Sequence, residues 1–413
     1  MSFRENLRHD RIADTGVQMP AASGLHLETQ AHAATRAKPL ILHVIAGLAV
    51  GGAETALYRL VTSASGDKYK HAVVALTPDG PMGVRLRRAG VALFTFDFKA
   101  SPVSNFFGLL ALIRRTQPDV VQTWMYHADM FGGVAARLAG HRNIIWGIRT
   151  SELEAGDARA TVLVRRMCAW LSKSVPDTIV CVAEAARRAH EKAGYDGSRM
   201  VVVHNGFDSS QFVATDDQRA ELRAHCGLED QHVVVGTVGR FNANKDQQNF
   251  VRAAGIVAKA NQNVRFLMVG RNLDADNADL KRWIDETGHA DRFILLGERA
   301  DVPVCLAAME LFCLSSCTEG FPNAVGEAMA MGLPCVVTDV GDAAMLVDDT
   351  GVVVPKKDSE ALARGIGELL AMTPAERRQM GQKAQMRIHA EFTVERTRQR
   401  FEDIYQRLTE GKH

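Results

Sequence analysis

The 413-residue chain is 46% hydrophobic and 23% charged with a formal net charge of +1, a balance that excludes a disordered chain and gives no sign of a nucleic-acid binder. It is too long for one hydrophobic core and suits two α/β domains. The charge is uneven: Lys and Arg outnumber Asp and Glu 25 to 17 over residues 1–206 and are outnumbered 24 to 31 over 207–413, which points to an anionic ligand or a membrane surface on one side only.

In chain order, residues 1–38 are polar, with scattered charges and no apolar signal-peptide core, and read as a loose extension. No later run is apolar for long enough to span a bilayer. The seven cysteines are odd in number and sit mostly in apolar runs, the usage of a reducing compartment, so a cytoplasmic protein is expected. Cys313 and Cys317 have the spacing of a loose metal pair, but with no partner pair nearby they read as packing.

From Pro39, short Val- and Ile-rich runs alternate with amphipathic stretches. Leu40–Ala46, His71–Leu76, Val91–Phe96, Val120–Thr123, Asn143–Ile148, Thr178–Val182 and Val201–Val203 read as buried strands, with helices such as Glu54–Ser63 and Phe106–Gln117 between them. This is the pattern of a parallel sheet with crossover helices. A first domain over 39–206 ends at the turn His204-Asn205-Gly206, and 207–231 forms the crossing. A second βα series runs through Val233–Val238, Val264–Val269, Phe293–Leu296, Leu311–Leu314, Cys335–Thr338 and Gly351–Val354, giving a domain over 232–392. The charged amphipathic helix in 393–413 is expected to bridge the two. Two doubly wound units in tandem place a ligand cleft between their carboxyl-end loops.

Two elements of the second domain carry the chemistry. In Glu319-Gly-Phe-Pro-Asn-Ala-Val-Gly-Glu327, followed by Gly332-Leu333-Pro334, Pro322 suits a helix start and Gly332 its end, so a helix is predicted over about Pro322–Met331. Its N-terminus suits a diphosphate, and its two carboxylates suit sugar hydroxyls. A glycosidase pair also uses two carboxylates, but would not explain phosphate-binding surroundings. In Gly236-Thr-Val-Gly239-Arg240, with Lys245 five positions on, two cations leave a strand end where they can hold a departing diphosphate. Taken singly, each feature is as well explained by solvated surface charge.

Together these motifs resemble the retaining glycosyltransferases of family 4, over nearly the whole chain from residue 39. The resemblance implies a GT-B fold, two Rossmann-like doubly wound domains facing a cleft, with the donor on the second and the acceptor on the first. By the same resemblance Glu327 binds the donor ribose, Glu319 the transferred sugar, and Arg240 and Lys245, after Gly239, the diphosphate. The main chain through Phe321, Pro322, Asn323 and Ala324 completes the donor site, and Arg299 in Leu296–Val302 stands beside the base. The glycines Gly51 and Gly52, after the first strand, match no nucleotide fingerprint; the family sets this loop at the cleft. The family has a histidine on the transferred sugar near the position of His127, just past the strand Val120–Thr123. Arg149 and Ser151, after Asn143–Ile148, face the same cleft and suit an anionic acceptor.

The resulting expectation is a metal-independent, retaining transferase. It moves a sugar from a nucleoside-diphosphate sugar to a saccharide or lipid-linked acceptor in surface-polysaccharide assembly. No metal or other cofactor is expected. Asp274-Ala-Asp276 has the spacing of a metal-holding pair but reads as solvated acid. Arginine clusters at Arg85, Arg87 and Arg88, at Arg114 and Arg115, and at Arg165 and Arg166 beside Trp170 give the first domain a candidate anionic-membrane face. A nucleotide-sugar epimerase of the same fold and a non-catalytic nucleotide-sugar-binding protein are the alternatives.

Overall fold

The computed structural model describes residues 38–49, 51–63, 68–151 and 159–411; the 1–38 extension lies almost wholly outside them. The first half runs β1 (Leu40–Ile45), α1 (Gly52–Thr62), β2 (Lys70–Ala75), α2 (Pro81–Arg88), β3 (Ala92–Thr95), α3 (Pro102–Thr116) and β4 (Val120–Trp124). It continues with α4 (Tyr126–Leu138), β5 (Ile144–Ile148), α5 (Arg159–Leu171), β6 (Thr178–Cys181), α6 (Glu184–Lys192) and β7 (Met200–Val202). The second half runs α7 (Asp216–His225), β8 (Val233–Val238), α8 (Gln247–Ala260), β9 (Val264–Val269), α9 (Ala278–Glu286), β10 (Phe293–Leu295), α10 (Val302–Ala307) and β11 (Leu311–Leu314). Then come α11 (Asn323–Ala330), β12 (Cys335–Thr338), α12 (Ala343–Val347), β13 (Gly351–Val354), α13 (Ser359–Ala371), α14 (Pro374–Glu391) and α15 (Val394–Glu410).

Every strand pairing is parallel, in the orders β3-β2-β1-β4-β5-β6-β7 and β10-β9-β8-β11-β12-β13. Helices cover both faces, so the inner strands are buried on each side and read as unbroken apolar runs: β4 and β5 are buried at all five positions. Both sheets reverse their winding beside their first strand, between β1 and β4 and between β8 and β11. The carboxyl-end loops at those two switch points are where such sheets take ligands.

The stretch 207–231 is more than a crossing. Its helix α7 docks on the second half, where Arg219 and Arg223 both bind Glu310 and the carbonyls of Ala307 and Ala308. After α14 the chain returns to the first half. Phe207 N–H donates to the Phe392 carbonyl at 2.8 Å, so the two interdomain segments run side by side. Gly206 permits this approach, since a β-carbon there would overlap the backbone of Thr393 and Val394. The last helix, α15, then buries Phe401 and Tyr405 among Ile41, Leu57 and Trp124, and the Tyr405 hydroxyl donates to Gln122.

The halves are also joined by a buried carboxylate. Asp342, after β12, accepts from the backbone N–H groups of Glu184 (2.7 Å) and Ala185 (2.9 Å) at the start of α6, and from His204 Nε2 at 3.2 Å. Burial pushes this carboxyl up, but the His204 ring and the two N–H groups outweigh burial and hold it below its ordinary value.

Candidate active site

On the second half, β8 hands over to Gly239 and Arg240, and a short turn over 243–245 carries Lys245. The Asn242 side chain accepts from Asn244 N–H (2.8 Å) and shapes that turn, while Ser315 Oγ donates to the Lys245 carbonyl (2.9 Å) and ties it to the loop after β11. Lys245 Nζ donates to Glu319 Oε1 at 2.6 Å, and Ser316 Oγ donates to the same oxygen at 2.6 Å. Lys245 also lies close enough to Glu327 to favour its ionised form, against a burial that raises that carboxyl above its ordinary value. One lysine therefore bonds one carboxylate of the motif and lends its charge to the other.

Helix α11 starts one residue later than predicted. Pro322 has φ −78° and ψ 90° and is the N-cap, so this ring, which has no N–H, precedes the first helical turn. Phe321, Asn323 and Ala324 supply the backbone N–H groups there. The loop before the helix packs on Gly341, which has φ +59° and where a β-carbon would overlap the Glu319 and Gly320 carbonyls, with Asp342 N–H donating to the Gly320 carbonyl at 3.0 Å.

The first half closes on this helix end. A β-carbon built on Gly52 would stand 3.4 Å from Asn323 Nδ2, which sets the start of α1 against the start of α11. Gly51 is the extended N-cap of α1, and Glu54 in its first turn lies near enough to Arg240 to feel its charge, although burial raises the Glu54 carboxyl overall. At the end of β5, Arg149 lies over the Trp124 ring, 5.2 Å from its centroid, and donates to Asn205; Asn205 Nδ2 donates on to Asn323 Oδ1 at 2.8 Å. Burial pushes the Arg149 guanidinium down to about 10. A cavity between the halves is lined by Gly52, Arg59, Trp124, Arg149, Asn205 and Asn323, among others.

His127 sits in the first turn of α4, two residues after the N-cap Met125, which has φ 73° and ψ 160°. For a residue with a β-carbon this conformation costs about 1–3 kcal/mol, a strain that gathers at functional sites. His127 is half-buried, and burial lowers its imidazole below the ordinary value. Ser151 is buried, with no hydrogen-bond partner for its Oγ among the described residues.

Arg299 is placed differently from the rest. Its guanidinium grips Asp301 on its own loop through two bonds, at 2.8 and 2.6 Å, and stands beside Cys226 and Cys305. The loop itself is nonetheless next to the site, because Gly297 accepts from Gly270 N–H at 2.7 Å and Gly270 packs on the Gly239 carbonyl. Sequence reasoning missed Arg59, Glu54, Asn205 and Asp342. The turn His204-Asn205-Gly206 and the glycine loop that ends on Glu54 offered signals for two of them.

Two residues beyond His127, Asp129 turns into the core. Its Oδ1 accepts from Thr123 Oγ1 (2.5 Å) and Gly147 N–H (3.3 Å), its Oδ2 has no partner among the described residues, and burial raises its carboxyl to about 8. A folded value above the unfolded one gives stability that is complete below the unfolded value and is lost as pH rises through the folded one. The wild type is therefore expected to lose stability between pH 4 and 8 relative to Asp129→Asn, which keeps the Oδ1 contacts without the proton. At about 1.4 kcal/mol per unit the difference reaches several kcal/mol by pH 8. Paired urea melts across that range test this; a constant difference would show that Asp129 is ionised in the fold.

Two family models match the chain: Glycosyltransferase Family 4 over residues 50–211 and Glycosyl transferases group 1 over residues 232–372. The chain belongs to the family 4 glycosyltransferases. The chain is 27% identical over 242 residues to the UDP-Gal:α-D-GlcNAc-diphosphoundecaprenol α-1,3-galactosyltransferase of Escherichia coli, spanning 58% of the present chain and 62% of that one. It is 29% identical over 205 residues to the lipopolysaccharide core mannosyltransferase LpsB of Rhizobium meliloti, spanning 48% and 57%. The matches thus span about three-fifths of the length of these two relatives. Its fold is shared with HepE of Anabaena, solved in complex with UDP-glucose, at a TM-score of 0.76 and 22% identity over 88% of this chain and 98% of that one. The lipopolysaccharide glycosyltransferase WaaG shares it at a TM-score of 0.68 and 14% identity over 90% and 99%. The architecture is the GT-B fold.

Proposed function

We propose that this glycosyltransferase moves a sugar, with retention of anomeric configuration and without a metal, from a nucleoside-diphosphate sugar to a saccharide or lipid-linked acceptor of surface-polysaccharide assembly. The observation that carries the reading is the cluster before and in α11 in which Lys245 bonds Glu319 and its charge favours an ionised Glu327, with Arg240 near enough to Glu54 for its charge to be felt. Cations from the loop after β8 and the backbone N–H groups at the start of α11 suit a diphosphate. The carboxylates suit the ribose and sugar hydroxyls. His127 faces the sugar, and Arg149 and Ser151 the acceptor. With the diphosphate held by side chains and main chain, it can itself take the acceptor proton as it departs, in a front-face displacement. The E. coli and Rhizobium relatives, which bear the names of a galactosyltransferase acting on a diphosphoundecaprenol sugar and of a mannosyltransferase of the lipopolysaccharide core, support the nucleotide-sugar and polysaccharide parts of this reading. Proton NMR of the reaction in EDTA tests it: an α-linked donor should yield an α-linked product at an undiminished rate. A β-linked product, a rate restored only by added manganese or magnesium, or donor turnover with no acceptor would each count against it.

An acceptor held on a lipid would be met at a membrane face of the first half. Among the described residues no helix is long and apolar enough to cross a membrane, so contact would be peripheral. Arg87 is paired with Asp79 and Arg85 lies over the Tyr58 ring, which leaves the α2 cluster partly engaged. The outward stripe of α5 suits a membrane better: Arg159, Leu163, Arg166 and Trp170 are exposed on it, Trp170 by 75%, and Val103 and Phe107 are exposed on α3. Co-sedimentation with liposomes should need anionic lipid, weaken with salt and fall in Trp170→Glu; equal recovery with neutral lipid would exclude this face.

A further inference from the structure

The Glu327 carboxylate is met from across the cleft. Arg59, in the last turn of α1, is only 16% exposed; its Nη2 stands 3.6 Å from Glu327 Oε1, and its Nη1 donates to the Gly206 carbonyl at 3.3 Å. A basic residue in a last turn ordinarily complements its own helix dipole. Here the guanidinium instead reaches the last residue of the first half and the donor helix. Glu327 is 22% exposed, enough enclosure to give the pair more weight than a solvent-screened surface pair.

We propose that Arg59 is a positioning residue of the donor site: from the first half it pairs with Glu327 and fixes the carboxylate that takes the ribose, so that ribose recognition is complete only when the two halves stand in this arrangement. A ribose diol offers two O–H donors, and an ionised carboxylate offers two acceptor oxygens where a protonated one gives up part of that capacity. Burial works against ionisation of Glu327, and the charges that oppose it are Arg59 from α1 and Lys245 from the turn after β8. Asp208, at the start of the crossing, also feels the Arg59 charge, while the guanidinium itself is held by the Gly206 carbonyl at the end of the first half and by Glu327 of the donor domain. A second-half nucleotide site that borrows a first-half cation links donor binding to domain closure without any further contact.

The inference rests on Glu327 being the ribose ligand, and the test separates the two. UDP, GDP and ADP are titrated calorimetrically into the full chain, and the tightest is carried to Arg59→Ala, Arg59→Lys, Glu327→Gln and the Arg59→Ala/Glu327→Gln double variant, from pH 5.5 to 8.5, alongside its 2′,3′-dideoxy form. Arg59→Ala should bind the nucleotide about tenfold more weakly at pH 7 and lose binding on acidification at a higher pH than the wild type, with partial rescue in Arg59→Lys. The loss should vanish with the dideoxy nucleotide and in the Glu327→Gln background. Wild-type binding by Arg59→Ala, or an equal loss with the dideoxy nucleotide, would overturn the role of Arg59 while leaving the donor site in place. Wild-type binding by Glu327→Gln would overturn both.

Discussion

Replacing Lys245 with alanine is expected to lower kcat by about 10²–10³-fold, the typical cost of removing one well-placed contact to charge that develops in a transition state. Lys245 is bonded to Glu319 at 2.6 Å in the loop before α11, and its charge is felt by Glu327. In this position it can follow the charge as a diphosphate departs. The loss should fall chiefly on kcat at saturating donor, because interaction with charge that grows during reaction stabilises the transition state more than the bound ground state. The fold should survive. Glu319 keeps the Ser316 hydroxyl, and the turn keeps its Asn242 cap and the Ser315 tie through backbone atoms. Arg240→Ala should behave alike, and Lys245→Arg should recover part of the rate with altered geometry. Steady-state kinetics with a parallel thermal melt check this; near-normal kcat in a folded Lys245→Ala would remove the lysine from the reaction.

The second large effect concerns stability. Asp342→Ala should cost about 3–4 kcal/mol, because it deletes a buried carboxylate and strands the N–H groups of Glu184 and Ala185 at the start of α6 together with His204 Nε2. Those partners belong to the first half and Asp342 to the second, so the loss falls on the junction. The folded carboxyl is held below its ordinary value. Its contribution is therefore present above the unfolded value and is lost as pH falls through the folded one. Urea melts should show the full difference at pH 7 and a narrowing difference below about pH 4. An unchanged midpoint at pH 7 would mean that water replaces the carboxylate at no cost.

The strands were legible because parallel strands buried on both faces are written as unbroken apolar runs, and the predicted and observed runs agree to within a residue or two along both sheets. The loops after β8 and before α11 were legible for a related reason: Gly, Pro and charged residues at fixed offsets mark where a strand ends and a helix starts. Pro322 was misplaced by one position because proline is compatible with both the N-cap and the first helical turn, and only ψ separates them. The contacts between the halves left no such mark. Arg59 and Glu327, Asp342 and Glu184, and Asn205 and Asn323 lie far apart in the chain, and no local periodicity reports which distant side chains a domain arrangement brings together. Arg299 shows the converse, since a residue two positions away, Asp301, claims its guanidinium.

The account centres on a nucleoside diphosphate held at the start of α11 by Arg240, Lys245 and Glu327, and thermal melting tests it most directly. A ligand that binds only the folded state at about 100 times its Kd adds about 2.7 kcal/mol of stability. Among UDP, GDP and ADP at millimolar concentration in EDTA, at least one should raise the melting temperature of the wild type by several degrees. The same nucleotide should leave the Lys245→Ala/Glu327→Gln double variant almost unmoved. A wild type that none of the three stabilises, or a double variant stabilised as much as the wild type, would contradict the account.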